Sequence, residues 1–305
     1  MPRLHPRSLA AFVALSVAAC SGTSVDETET PAGQEAAAAG DSIQELAIET
    51  VSDEALRPYF SKQIDIFGVP IVGTAAIADR KVVHAAHVMA QYLDNDEDGE
   101  VDDPNVLQAM IEGSALLVMF ADFEELEQSG IFDDDRLRDA YASQDLEGHE
   151  TVTPEDRVEG DAGDRFDAAI EEIWHLVSSA GYATAYPNAF GPEPGSRLAD
   201  AMDLARGGRF FEIPESYPEG AWYTYEDETC GYGCMAIEYV YWALTTHLGA
   251  QADPERCEWI SNEWRPCTPE QLATTDPAVV ELLTDPRFAV PRRLPDGSYR
   301  TESEP

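Results

Sequence analysis

The sequence predicts an α+β fold that is mostly helical, with a small sheet. Apolar residues recur at helical spacing in residues 79–94, "DRKVVHAAHVMAQYLD". Residues 233–250, "GCMAIEYVYWALTTHLGA", are apolar all the way round, which predicts a long buried helix. Strand signals are confined to short β-branched runs between residues 62 and 121. Helices therefore outnumber strands in the predicted fold.

The N-terminus has the pattern of a secretory signal. A basic start, "MPRLHPR", precedes the apolar run "SLAAFVALSVAA", which is too short to span a membrane. The run ends in "VAAC", which resembles the lipobox of bacterial lipoproteins. That resemblance implies a signal peptide at 1–19, lipidation of Cys20 and, with Ser21 next, attachment to the outer membrane. The alternative is a plain signal peptide with an incidental cysteine.

The rest of the chain predicts a tether, one domain and a tail. Residues 20–50 are rich in Ala, Gly, Ser, Thr and acid, as flexible linkers are. Residues 51–293 fit a single α+β domain, and 294–305 a C-terminal tail.

Local signals place the other elements of the domain. Residues 55–77 predict a short helix and then one or two strands around Gly68 and Pro70. Residues 114–121, "SALLVMFA", fit a buried strand or the end of a helix begun at Val106. Residues 133–164 predict an acidic, irregular surface loop with a short helix. Further helices are predicted at 164–180, at 196–208 ending at Gly207-Gly208, and after the N-caps Thr268 and Asp276, each followed by Pro.

The charge of the chain is strongly negative, with 19 basic and 59 acidic residues and a net charge of −40. Nucleic acid is therefore not expected as a partner, because phosphate binding needs a basic surface. Divalent cations suit such a chain better, although adaptation of the surface to salt also explains the acid.

An acidic stretch at 94–105, "DNDEDGEVDDPN", has the spacing of a cation-binding loop. Asp94, Asp96 and Asp98 alternate before Gly99, and the stretch resembles the calcium loop of EF-hand proteins. The resemblance implies that calcium is bound by these three carboxylates, by the carbonyl of Glu100 and by Asp102.

The loop departs from the EF-hand pattern at its last position. Asn105 stands where a bidentate Glu is expected, which weakens the affinity or moves the last ligand to Asp102 or Asp103. The alternative is a solvated acidic turn.

His84 and His87 precede the loop and share one helix face. Their interpretation as packing residues is simpler than their interpretation as metal ligands.

The predicted 164–180 helix carries "EEIWH", Glu171 to His175, on the face opposite its apolar stripe. The simplest interpretation is a polar face in water. Glu238, however, lies inside the predicted buried helix with no Lys or Arg three or four residues away. A buried carboxylate must be paired, protonated, hydrogen-bonded or bound to metal.

Glu171, Glu172, His175 and Glu238 together resemble the gluzincin class of zinc metallopeptidases, and loosely the catalytic domain of anthrax lethal factor. The resemblance covers residues 164–250 and departs at its first position, where Glu171 replaces the His of HExxH. It implies Glu171, His175 and Glu238 as metal ligands. It also implies Glu172 as general base and Tyr232 as a candidate for stabilising an oxyanion. An alternative ligand pair is Glu172 with His175.

Two glutamates and one histidine are a harder ligand set than two histidines and one glutamate. Such a set is expected to bind zinc less selectively and to accept manganese, iron or calcium.

Four cysteines follow Cys20: Cys230, Cys234, Cys257 and Cys267. In an exported chain they predict two disulfides. Cys230–Cys234 with Cys257–Cys267 is the most local of three pairings, and a zinc site made of all four is the alternative.

Between the two candidate metal helices, aromatic residues in 210–225 line a cleft or anchor the core.

Two functions follow as hypotheses. The first is a lipid-anchored metallopeptidase-like protein that acts on a peptide or protein substrate and has a structural calcium loop. The second is a non-catalytic calcium-binding surface protein that acts in adhesion or ligand binding. The distance between Glu238 and His175 discriminates between them.

Overall fold

The computed structural model describes residues 46–158 and 166–301, and within them the fold is α+β, as predicted. A four-stranded sheet has the order β1-β2-β3-β4. The strands are β1 (Lys62–Ile66), β2 (Val69–Gly73), β3 (Ala115–Phe120) and β4 (Ala142–Glu147). The helices are α1 (Asp79–Leu93), α2 (Pro104–Glu112), α3 (Phe123–Ser129), α4 (Asp135–Arg138), α5 (Pro154–Val158), α6 (Ala168–Leu176), α7 (Ala183–Ala185), α8 (Pro187–Phe190), α9 (Arg197–Ala205), α10 (Tyr232–His247), α11 (Pro254–Trp259), α12 (Pro269–Thr275) and α13 (Pro277–Leu283).

The sheet combines one hairpin with two parallel crossovers. β1 and β2 pair antiparallel through a turn at Phe67 and Gly68, both with positive φ, as a tight hairpin turn requires. β2 pairs parallel with β3, and β3 with β4. The crossover from β2 to β3 contains α1, the acidic loop and α2. The loop is therefore held between two helices that begin and end at the sheet.

Both faces of the sheet are buried, and β3 shows this most clearly. Leu117 and Met119 face a large core shared with α1, α6, α9, α10 and α13. Leu116, Val118 and Phe120 face a smaller core with residues from 51–60, α3 and α4. All six residues of β3 are buried, so 114–121 is a strand and not the end of a helix.

The prediction of an irregular loop over 133–164 is wrong at β4. Ala142–Glu147 pairs with β3 along its whole length. The sequence "ASQDLE" hid this strand because an edge strand beside only one neighbour needs few apolar residues, and Leu146 alone is large and apolar. The short helix expected near residue 56 is likewise a series of hydrogen-bonded turns.

The helix predicted at 164–180 is interrupted. Asp167 caps α6, and after Leu176 the chain continues as a π-helix, Val177–Tyr182. Gly181 lies against α2, where a Cβ atom would come within 2.7 Å of Val106 Cγ1. The other helix boundaries are confirmed, including the N-caps Thr268 and Asp276, and Gly207 has the left-handed conformation (φ 74°) expected just past a helix end.

The chain forms two disulfides, Cys230–Cys234 and Cys257–Cys267. This is the most local of the predicted pairings, and it leaves these cysteines no thiolate for a four-cysteine zinc site. The first disulfide spans the start of α10, and the second joins Cys257 in α11 to Cys267 and so encloses Glu263.

Several predicted features fall on other parts of the chain. The signal peptide 1–19, Cys20 and the tether up to residue 45 lie outside the described residues, as do 302–305. Residues 294–301 of the predicted tail pack against the domain, with Tyr299 only 5% exposed. None of the described helices is long and apolar enough to cross a lipid bilayer.

Candidate metal centre

Helices α6 and α10 bring Glu171, His175 and Glu238 together. One donor atom from each of the three side chains lies within 4.8 Å of the others. His175 Nε2 is 3.5 Å from Glu238 Oε2. Two ligands about 2.1 Å from a tetrahedral ion stand about 3.4 Å apart, so this spacing fits a shared ion.

One buried ring nitrogen between these three side chains lacks a hydrogen-bond partner. His175 Nε2 is buried and has no hydrogen-bond partner. A buried polar atom of this kind costs free energy unless something binds it. A divalent cation among His175, Glu171 and Glu238 would supply the partner and offset the charge of the two carboxylates, so these residues fit a metal ion.

The pKa values of Glu171 and His175 also favour a bound cation. Burial raises the pKa of Glu171 well above its ordinary value, and the charges of Glu172 and Glu238 raise it further. Burial lowers the pKa of His175, but the nearby glutamates outweigh burial and raise it to about 10. Without a cation, protons on Glu171 and His175 therefore take its place.

Glu172 lies between His175 and strand β4. Its Oε2 is 3.4 Å from His175 Nδ1, and it accepts a hydrogen bond of 2.6 Å from Gln144 Nε2 on β4. Glu172 and Glu238 thus contact opposite nitrogens of the same ring. The alternative pair Glu172 and His175 would need the ring nitrogen that faces away from Glu238.

A second layer of side chains holds the ligands. Tyr241 packs edge-on against the His175 ring at 5.6 Å, and its hydroxyl contacts Glu171. Arg256 donates to the Tyr241 hydroxyl at 3.4 Å. Partners of this type orient metal ligands. The sequence pattern gave no signal for Arg256, because α11 lies far from α6 along the chain.

Tyr232 is not placed where the gluzincin resemblance implies. Its hydroxyl donates to Asp203 Oδ1 at 3.0 Å, and its ring stacks on Phe211. The tyrosine hydroxyl that reaches Glu238 belongs to Tyr225, where the contact opposes the effect of burial on the pKa of Glu238. The residue lies in the aromatic segment that the sequence analysis singled out as a cleft or core.

A cavity of about 500 Å³ opens beside Tyr225. Tyr217, Tyr225, Glu226 and Glu263 are among its lining residues. Glu263 Oε1 accepts a hydrogen bond from Trp242 Nε1 at 2.8 Å. Tyr225 thus belongs both to the wall of this cavity and to the metal centre.

Glu263 gives a pH-dependent stability that can be measured. Burial and the charge of Glu238 raise its pKa from 4.5 to about 8. The folded state therefore holds the proton more tightly than the unfolded state, and stability is lost as the pH rises from about 4.5 through about 8. In chelator, we expect Glu263→Gln to match the wild-type melting temperature at pH 5 and to exceed it at pH 9. Equal slopes of melting temperature against pH for the two proteins would contradict this.

The start of α6 is fixed by a buried hydrogen bond between His84 and Asp167. His84 Nε2 lies 2.6 Å from Asp167 Oδ2, while Asp167 Oδ1 accepts hydrogen bonds from the backbone N–H groups of Val152 and Ala169. His84 is therefore a packing residue of α1, consistent with the simpler interpretation of its position.

Removing this buried contact should be costly. Asp167→Ala removes the α6 cap and leaves His84 and the Val152 N–H buried without partners, so we expect a loss of about 3 kcal/mol in the free energy of unfolding. The matched control is Asp122→Ala, which removes the exposed cap of α3 and should cost about 1 kcal/mol. Denaturant unfolding measures both, and equal costs would mean that the pair with His84 contributes nothing.

The acidic loop brings part of the predicted calcium set together. Oxygen atoms of Asp94, Asp96 and Asp98 lie within 4.8 Å of one another. Asp94 is fully buried and accepts hydrogen bonds from the backbone N–H groups of Asp98 and Gly99. Positive φ at Glu97 and Gly99 turns the loop around this carboxylate.

The remaining predicted calcium ligands have other contacts. Asp102 Oδ2 accepts from the backbone N–H of Asn95 at 2.8 Å. The Glu100 N–H donates to Asp98 Oδ1, a contact that does not involve the carbonyl predicted as a ligand. Asn105 lies in the first turn of α2, and its amide donates to the Tyr186 hydroxyl. Asp103 is the cap of α2 and is also bound by Tyr186. The structure therefore gathers the first three ligands and not Asn105.

Residues 292–301, here called the C-terminal segment, cover the loop. Tyr299 donates to Asp94 Oδ2 at 2.5 Å. Gln91 accepts from the backbone N–H groups of Asp296 and Gly297, and Asn95 accepts from those of Arg292 and Arg293. No local sequence pattern indicated this contact, because it joins residues about 200 positions apart.

Comparison with protein families, with curated proteins and with solved structures gave no match. The resemblances to gluzincins, EF-hands and bacterial lipoproteins therefore depend on the residues named above.

Proposed function

We propose that the chain is an exported, lipid-anchored metallopeptidase of the zincin type, with a calcium loop that supports its fold. The observation that carries the proposal is the convergence of Glu171, His175 and Glu238 around the orphaned Nε2 of His175. In a helix whose polar face was only wetted by solvent, His175 would face water instead of Glu238.

The metal at this centre would be a divalent cation with a preference for oxygen ligands. Glu171 and Glu238 contribute carboxylates and His175 a single imidazole, which suits zinc, manganese or iron. When bound, such an ion acts as a Lewis acid that polarises a substrate carbonyl and favours ionisation of water.

The gluzincin resemblance implies Glu172 as the base, and its carboxylate contacts Nδ1 of His175, the ring nitrogen opposite the Nε2 that would bind the ion. Glu172 is hydrogen-bonded by Gln144 on one side and contacts His175 on the other, so its carboxylate has a fixed orientation. It would accept the proton of an attacking water and pass it to the leaving amine.

The edge of the sheet and the cavity offer places for a substrate. β4 is the last strand of the sheet, and its Gln144 contacts Glu172. An extended peptide can add to such an edge by backbone hydrogen bonding. The cavity beside Tyr225 would receive one of its side chains.

Export and anchoring are supported by the signal-like N-terminus, by Cys20 and by the two disulfides, which form in oxidising compartments. We propose the outer membrane as the place of anchoring and a peptide or protein as the substrate.

The test is the metal content of the full chain, purified in detergent. After removal of metal and reloading with a mixture of calcium, manganese, iron and zinc, we expect about one transition-metal ion per chain. That ion should be lost in His175→Ala and kept in Asp96→Ala, and the loaded wild type should cleave a peptide library. No transition metal in the wild type would refute the proposed centre.

A second function is favoured by one observation. Glu171 has a hydrogen-bond partner in Tyr241, so the centre can persist in a protonated, metal-free form. Such a protein would be a non-catalytic calcium-binding surface protein. Calcium alone, lost in Asp96→Ala and unaffected by His175→Ala, would identify it.

The two tyrosines provide a further prediction. The Tyr225 hydroxyl reaches Glu238 and could donate to an oxyanion, whereas the Tyr232 hydroxyl is bound to Asp203. We expect Tyr225→Phe to lower kcat about 100-fold with little change in KM. Tyr232→Phe should change kcat less than threefold, and the reverse order would restore Tyr232 to the role that the gluzincin resemblance implies.

A further inference from the structure

The cavity beside Tyr225 has walls that are fixed by hydrogen bonds. One wall comes from the loop before α10 and the other from residues 262–265. The backbone N–H of Thr224 donates to the Glu263 carbonyl at 2.8 Å, which joins the two walls. The Tyr217 hydroxyl donates to the Tyr225 carbonyl at 3.1 Å within the first wall. The cavity of about 500 Å³ is therefore formed before any ligand arrives, and clefts that bind small molecules measure about 300–1,000 Å³.

Four glutamates line this cavity, and none of them forms an ion pair within the described residues. Three are exposed and belong to its mouth: Glu215, Glu219 and Glu226. Glu263 is less exposed, and its Oε1 accepts a hydrogen bond from Trp242 Nε1 at 2.8 Å. Trp242 belongs to α10, the helix of Glu238. Glu263 therefore lies at the end of the cavity that is nearest to the candidate metal centre.

The other lining residues are mostly aromatic or apolar. Arg265 is the one basic residue among them, and it is exposed and borders a second cavity as well. The rings of Tyr217 and Tyr225 line the cavity together with Ile213 and Pro218. Walls of this kind suit the hydrocarbon stem of a long basic side chain, and aromatic faces attract its charged head. The cavity thus combines apolar walls with a carboxyl group at its inner end.

We propose that this cavity binds the positively charged side chain of a lysine or arginine in the peptide substrate. This role rests on the proposed peptidase function, for which it names the class of substrate. The stem of the side chain would lie along the tyrosine rings, and its charged group would meet the Glu263 carboxyl. A guanidinium suits this place because it can donate two hydrogen bonds to one carboxylate. Its charge would oppose the burial that raises the pKa of Glu263 and so favour the ionised carboxylate.

The position of the cavity suits a residue near the cleaved bond. Tyr225 lines the cavity, and its hydroxyl reaches the candidate metal ligand Glu238. A single side chain therefore contacts both the cavity and the centre. A lysine or arginine held in the cavity would accordingly belong to a residue close to the carbonyl that the metal polarises.

The first experiment measures binding apart from hydrolysis. The full chain in detergent, loaded with calcium only, is titrated by calorimetry at about pH 8, where Glu263 is partly ionised, with Nα-acetyl-arginine amide. Its neutral isostere, Nα-acetyl-citrulline amide, is the control ligand. We expect one site that binds the arginine compound about tenfold more tightly than the citrulline compound, because a charge-assisted hydrogen bond is lost in the second.

Variants assign this site to the cavity. Glu263→Gln is expected to fold and to bind both compounds equally. Glu226→Gln, at the mouth, should weaken binding of the arginine compound about threefold, as an exposed ion pair would. Glu127→Gln removes an exposed carboxylate from α3 and should leave the preference unchanged, which excludes general attraction to an acidic surface. A preference that survives Glu263→Gln would overturn the proposal.

The second experiment measures hydrolysis. With the metal centre loaded, cleaved peptides of a library should carry lysine or arginine at one fixed position, and Glu263→Gln should abolish this selectivity. Binding of the arginine compound without any hydrolysis would refute the peptidase and keep the cationic pocket. Hydrolysis without a basic preference, or equal binding of the two compounds by the wild type, would overturn the pocket and leave the peptidase standing.

Discussion

Glu172→Gln is expected to lower peptide hydrolysis by about 10³-fold while the metal content stays at one ion per chain. A general base contributes about 10²- to 10⁴-fold, and the amide cannot accept the proton of water. The variant is nearly isosteric, and its side-chain oxygen can still accept the hydrogen bond from Gln144. Measurement of kcat/KM against pH and elemental analysis of the same preparation test both halves of the prediction.

Two results would contradict this role for Glu172. Unchanged hydrolysis would mean that another group takes the proton. Loss of metal together with activity would instead make Glu172 a ligand, as in the alternative pair with His175. The matched control is Glu127→Gln, which should retain both activity and metal.

Removal of calcium is expected to lower the stability of the fold. An ion present at 100 times its dissociation constant stabilises the fold by about 2.7 kcal/mol, which for a domain of this size shifts the melting temperature by about 5–10 °C. Here the ion would also relieve repulsion among Asp94, Asp96 and Asp98. We therefore expect a calcium-selective chelator to lower the melting temperature of the wild type by that amount and to have no effect on Asp96→Ala.

The C-terminal segment should also respond to the loss of calcium from the loop. Because Tyr299 binds Asp94, loss of the ion should loosen residues 292–301 and speed their proteolysis. His175→Ala serves as the control, since it should keep the calcium response. A chelator effect that persists in Asp96→Ala would place the stabilising ion elsewhere.

The sequence predicted those parts of the fold that depend on local patterns. The periodicity of α1 and the caps of α12 and α13 are confirmed because each helix satisfies its own backbone hydrogen bonds and buries its own apolar face. The apolar run at 114–121 was left open between a strand and a helix end, and its pairing with β2 and β4 makes it a strand. Glu238 was informative for a related reason: a carboxylate on a helix that is apolar all round requires a partner from elsewhere in the fold.

Other features depended on contacts between distant residues, and the sequence could not predict them. β4 is polar, and only its pairing with β3 makes it a strand. Tyr225, and not Tyr232, reaches Glu238 because the loop before α10 folds back over the helix. Tyr241 and Arg256 support Glu171 through tertiary packing alone. The gluzincin resemblance indicated the ligands but not the side chains that hold them.

The π-helix after His175 makes the candidate centre sensitive to the length of the chain. A π-helix accommodates one residue more than an α-helix of the same rise, and a single insertion into an α-helix is a common origin of such a segment. Deleting one residue from Val177–Tyr182 would let this wide turn contract to regular α-helix and change the direction in which the side chains inside it point. Tyr182 would then leave its contacts with Trp174 and Phe190. Homologous chains that keep the metal centre should therefore keep both the length of this segment and the glycine at position 181.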